Sequence, residues 1–117
     1  MVELSSAFLR LDGSDIMTFE IVYAKDLEQE LSSENVELID IRTEREFDQA
    51  HWEGAISLPL HETDSYEEIL DKRKRIILYC QHGGNSMQLA RYLGRRGYNV
   101  ATVIGGYETM KKIRKTI

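Results

Sequence analysis

Short apolar, β-branched-rich runs alternate along this chain with helix-spaced segments, and no two-residue hairpin signal separates any pair of runs. The runs are Met17–Ile21, Val36–Ile41, Ala55–Leu60, Ile76–Tyr79 and Val100–Ile104. Between them lie segments of helical spacing, such as Lys25–Leu31, with Leu27 and Leu31 four apart, and residues 86–96, with Met87, Ala90 and Leu93. Strands joined through helices pair in parallel, and a parallel sheet buries both faces. The pattern predicts an α/β fold: a mainly parallel sheet with helices on both sides. Ligands of such sheets bind beyond the carboxyl ends of the strands, where Asp40 and Cys80 both stand.

Local signals set the expected boundaries. Thr43-x-x-Glu46 has the spacing of a capping box that opens a short helix, and Ser65-x-x-Glu68 offers a second. Lys72–Arg75 reads as the cationic end of that second helix. Asn85-x-x-Gln88 can cap the helix over 86–96, and Gly97 suits the position just past its end. Gly105-Gly106 turns the chain into a final segment, Tyr107–Ile113. Residues 1–16 have no clean period and read as an extension, either an added strand or a loosely packed arm. The domain proper is residues 17–117.

Length and charge bound the partners. At 117 residues, 42 % apolar and 30 % charged, the chain can bury one core without disulfides. Its net charge of −5 argues against nucleic acid or an anionic membrane as partner. No run approaches the ~20 apolar residues of a membrane helix, and the N-terminus lacks the basic and apolar regions of a secretory signal. A single cysteine and three scattered histidines give no zinc spacing. A reducing, cytoplasmic setting is the expectation.

The chemistry concentrates in Leu78-Tyr-Cys-Gln-His-Gly-Gly-Asn-Ser86, where the strand ends in a thiol and a glycine-containing loop leads into a helix. Successive N–H groups in such a loop can form an anion-binding nest, and the helix adds its unpaired donors and positive end. Converging donors of that kind lower a thiol pKa from ~8.5 to about 3.5–7.5. The other reading makes Cys80 a small buried hydrophobe that closes a strand.

Several segments, in order, resemble the single-domain rhodanese family of sulfurtransferases. Leu38-Ile-Asp-Ile-Arg42 with Glu46-Phe47 is similar to its strand and helix "DvR…E(F/Y)". His51-Trp-Glu-Gly-Ala55 with Leu58-Pro59 is similar to "GHIpGA…nip". The loop from Cys80 to Ser86 is similar to C-R-x-G-x-R-S, and Gly97-Tyr-Asn-Val100 with Gly105-Gly106 to the closing stretch. The resemblance covers about residues 17–110 and implies a three-layer, rhodanese-like fold on a five-stranded parallel sheet. It implies transfer of a sulfane sulfur from thiosulfate, a polysulfide or a protein persulfide. Cys80 would be the nucleophile, and the sulfur would pass as its persulfide to cyanide, a thiol or a protein sulfur carrier. The main-chain donors of Gln81, His82, Gly83, Gly84, Asn85 and Ser86 would hold that persulfide. No cofactor or metal is implied.

The departures shape the expectation. Two arginines of the loop pattern are Gln81 and Asn85, which supply neither a fixed charge nor a bidentate fork. At about 1.5–3 kcal/mol per charge-assisted hydrogen bond, each loss costs tenfold or more with a dianion. Weak thiosulfate activity follows, unless another cation substitutes. His82 is one candidate, against a solvent-facing loop histidine. Arg42 is another, at the lip of the site, against a structural partner for Glu46 or Asp40. Asp40 reads as an acceptor behind the site and Glu46 as a helix cap, rather than as an acid–base pair. His51 reads as structural and Trp52 as core or pocket rim. Met110 stands where the family has a tryptophan after Gly-Gly, and Ala50 replaces its glycine before the histidine. A binding module with little turnover is the alternative function. A cysteine phosphatase is disfavoured because Ser86 occupies the arginine position of Cys-x5-Arg.

Overall fold

The computed structural model describes residues 18–62 and 64–113. The extension assigned to residues 1–16 lies outside them. Five strands form the sheet: β1 (Glu20–Val22), β2 (Val36–Asp40), β3 (Ile56–Ser57), β4 (Arg75–Tyr79) and β5 (Asn99–Val103). Their order is β1-β5-β4-β2-β3, and every neighbouring pair is parallel. The helices are α1 (Leu27–Glu30), α2 (Glu44–Gln49), α3 (Tyr66–Ile69), α4 (Gly84–Arg95) and α5 (Gly106–Ile113). The expected α/β sheet with helices on both faces is present.

Period-two alternation in the central strand divides the core. Ile76, Leu78 and Cys80 face one layer, with Leu89, Ala90 and Leu93 of α4. Ile77 and Tyr79 face the other, with Leu27 of α1 and Tyr107 and Met110 of α5. All of β4 after Arg75 is buried on both faces, which explains its unbroken apolar run. Residue parity therefore puts the thiol on the α4 side, at the carboxyl end of a strand that lies third of five.

Three local expectations need correction. Ser65 makes no capping bond with its side chain, and α3 is a single turn ending at Ile69. Lys72–Arg75 does not end that helix; Lys72, Arg73 and Lys74 form the turn into β4, and Arg75 is the strand's first residue. There Arg73 pairs with Asp71, Lys74 with Glu37, and Arg75 with Glu20 and Glu30. Carboxylates on neighbouring elements outcompete the weak dipole of so short a helix. The strand expected over Ala55–Leu60 is regular only at Ile56–Ser57, beyond which Leu58 and Leu60 donate to the Asp40 and Ile41 carbonyls on either side of Pro59. Proline has no N–H to continue the ladder.

A cradled thiol at the sheet's carboxyl edge

Two main-chain donors converge on Cys80. The Gly83 N–H lies 3.1 Å and the Ser86 N–H 3.3 Å from Sγ. The thiol faces the Ser86 hydroxyl at 3.5 Å. That hydroxyl bonds the Gly83 carbonyl and shares a 2.6 Å bond with Thr102 of β5. Ser86 and Thr102 are fully buried, so the loop is tied to the sheet from beneath. The two N–H dipoles and the positive end of the twelve-residue α4 are directed at the sulfur.

A left-handed residue makes this cradle possible. Gly83 has φ +102°, and a Cβ there would stand 3.0 Å from the Gly105 nitrogen. Gly83 is thus the residue before the helix, a place the sequence pattern gave to Asn85. Asn85 lies instead within the first turn of α4, because the chain must reverse at Gly83 to aim its N–H at the sulfur. The Gly105-Gly106 turn closes over the same loop. Tyr107 and Glu108 donate to the Cys80 and Gln81 carbonyls, and a Cβ on Gly106 would collide with that backbone.

Arg42 joins the loop to the strand beside it. It stacks 4.0 Å over the Tyr107 ring and is only 7 % exposed. Its guanidinium donates to both oxygens of fully buried Asp40, to the Ala50 carbonyl, and to Oε1 of Gln81 at 3.2 Å. Burial alone would lower the Arg42 pKa, but the Asp40 bonds and charge outweigh it and raise the net value. Burial, then the Asp40 charge, pushes the neighbouring Tyr79 hydroxyl far up. Gln81 continues the chain by donating to Glu108 at 2.7 Å, which holds that carboxyl below its usual range. Gln81 is therefore an amide spacer between a cation and an anion.

Cys80 is 5 % exposed and opens on a cavity of about 240 Å³. Ile41 and Leu60 supply apolar wall, while Arg42, Thr43, Glu46, His61, Gln81 and Asn85 supply polar lining. His82 is exposed and does not line it, so the sequence candidate for a replacement cation faces solvent. His61 was not anticipated; the 3-10 turn Leu60–Glu62 carries it and Leu60 to the rim. Glu108, Thr102 and Gly106 were also missed, and all three contact the loop across long sequence separations. Glu46 forms the expected capping box with Thr43 and lines the cavity as well. His51 bonds the Phe47 carbonyl and stacks on its ring, Trp52 is core, and Met110 packs fully buried in α5. Among the described residues, no group of three metal-ligating side chains converges, and no helix is long and apolar enough to cross a membrane.

Comparisons with known proteins agree with this architecture. The rhodanese-like domain family matches residues 23–112. A thiosulfate sulfurtransferase (GlpE) of Haemophilus influenzae is 35 % identical over 80 residues, spanning 68 % of this chain and 76 % of that one. Its counterpart in Coxiella burnetii is 32 % identical over 78 residues, 66 % of this chain and 73 % of the relative. A rhodanese-related protein of Thermoplasma volcanium superposes with TM-score 0.77 at 22 % identity, covering 85 % of this chain and 98 % of its own. The reduced CoADR-RHD protein of Bacillus anthracis gives 0.75 at 28 % identity, covering 82 % of this chain and 17 % of its own.

Proposed function

Because this chain belongs to the rhodanese-like domain family, we propose that it transfers sulfane sulfur through a persulfide on Cys80. The observation that carries the reading is the pair of N–H donors at 3.1 and 3.3 Å from Sγ, beneath an open cavity. The Cys80 thiolate attacks the outer sulfur of a donor, the donor's S–S bond breaks, and its electron pair leaves with the remaining fragment. With thiosulfate that fragment is sulfite; with a persulfide it is a thiolate. Thiol–disulfide exchange obeys the same rules, so a better leaving group speeds the step. The loop donors stabilise charge on the sulfur pair, as oxyanion-hole donors do for oxygen.

No second cysteine stands in the chain, so an outside acceptor must discharge the persulfide: a small thiol, cyanide or a protein sulfur carrier. The curated relatives are thiosulfate sulfurtransferases by name. Here Arg42 is committed to Asp40, and Gln81 and Asn85 bring no charge, which supports weak use of thiosulfate.

Intact-protein mass spectrometry tests this directly. After incubation with a polysulfide the mass should rise by one sulfur atom, fall again with dithiothreitol, and stay unchanged in Cys80→Ser. A sulfur-free wild type under every donor would overturn the reading. The missing loop charges favour a second reading, a binding module with little turnover. In that case Cys80 need not react, and slow alkylation by iodoacetamide at neutral pH would favour it.

A further inference from the structure

The cavity above Cys80 has an unusual charge balance. Its one arginine is neutralised by a buried aspartate at 2.8 Å. Both loop donors to Cys80 are spent on the sulfur itself. Among the described residues of the lining the remaining charged group, His61 aside, is the Glu46 carboxylate, whose charge also acts on Arg42. Thr43 engages only one of its oxygens, Oε1, through its N–H and its hydroxyl, each at 3.1 Å. Oε2 has no hydrogen-bond partner among the described residues.

We propose that Glu46 is the donor-selecting residue of this cavity: it repels dianions such as thiosulfate and takes up the ammonium group of an aminothiol persulfide. The proposal rests on the Cys80 reaction above and names its donor class. A persulfide with an amine two carbons from its inner sulfur matches the chemistry of the lining, which offers apolar wall at Ile41 and Leu60, the Cys80 sulfur and the Glu46 carboxylate. The step balances as Cys80–S⁻ + H–S–S–R → Cys80–S–S–H + R–S⁻. The new S–S bond forms as the old one breaks, the proton stays on the transferred sulfur, and the electron pair leaves on the aminothiolate. A carboxylate also acts on thiosulfate with twice the repulsion it exerts on a monoanion, since Coulomb energy scales with the product of charges.

The test compares loading rates of Cys80, read by intact mass, from cysteamine persulfide, mercaptoethanol persulfide and thiosulfate. The first two differ only in an ammonium against a hydroxyl. Wild type should load about fivefold or more faster from the amine, and Glu46→Gln should bring the pair to within about twofold, as expected for loss of one partly screened ion pair. The glutamine oxygen still accepts from Thr43, so the cap survives. Thiosulfate loading should rise about three- to tenfold in Glu46→Gln, a gain that a misfolded variant cannot produce. Equal rates for the two persulfides in wild type, or an amine preference that survives in Glu46→Gln, would overturn the proposal with the Cys80 reaction intact. Failure of every donor to load Cys80 would overturn both.

Discussion

Asp40 is the residue on which the site's charge arrangement turns. It is fully buried, and among the described residues its carboxylate is the sole counter-charge in hydrogen-bonding contact with Arg42. Truncating one partner of a buried pair leaves the other charge uncompensated, so Asp40→Ala should lose about 3–5 kcal/mol in urea unfolding. Gly83→Ala acts by another route. It forces a left-handed alanine whose Cβ crowds Gly105, a strain of about 1–3 kcal/mol, and turns the N–H away from the sulfur. Cys80 alkylation by iodoacetamide should slow in that variant. Glu108 gives a pH signature. Its carboxyl is held low first by the Gln81 amide, so the Gln81–Glu108 bond contributes above the ordinary glutamate value of about 4.3 and fades as pH falls through the lowered one. Gln81→Met should raise the Glu108 midpoint in a carbon-detected NMR titration; an unmoved midpoint would count against the bond.

At the scale of elements, α4 is the most demanding piece. Gly94 lies where a Cβ would sit 2.3 Å from the Thr18 carbonyl oxygen, backbone against helix. Gly94→Ala should therefore destabilise by about 1–3 kcal/mol, despite alanine's better helix propensity. A thermal melt shifted upward would show the contact to be slack. The strands and the longer helices were legible because period-two and helical spacings report burial that each element carries alone. The Cys80 loop was legible because a thiol, glycines and a helix start are adjacent in sequence. Contacts between distant segments had no such local signal. Gln81 against Glu108, Ser86 against Thr102 and His61 against the cavity exist only once the sheet is assembled. Asn85 misled for a related reason: its capping pattern is sound by itself, but the loop's left-handed turn at Gly83 takes the position first.

For the molecule as a whole, net charge sets how donors approach. At −5 the protein repels anions before any contact is made. Loading of Cys80 from thiosulfate should accelerate as potassium chloride rises from about 10 to 150 mM, because the Debye length shrinks from about 30 to 8 Å. Loading from an uncharged persulfide should stay flat across the same range. A flat thiosulfate response would mean that local groups alone govern access.

Since all the paired strands run the same way, the segments that follow β2, β4 and β5 arrive at a single rim, bearing Arg42, Cys80 and Gly105. Among the described residues, segments that feed strands lie at the opposite rim, Ser32–Asn35 ahead of β2 and Asp71–Lys74 ahead of β4. The molecule is thereby polar in the mechanical sense, with the Cys80 cavity at one end of the sheet and the turns that enter strands at the other. A fluorophore or affinity handle grafted between Ser33 and Glu34 would ride a full strand length from the sulfur, clear of that cavity.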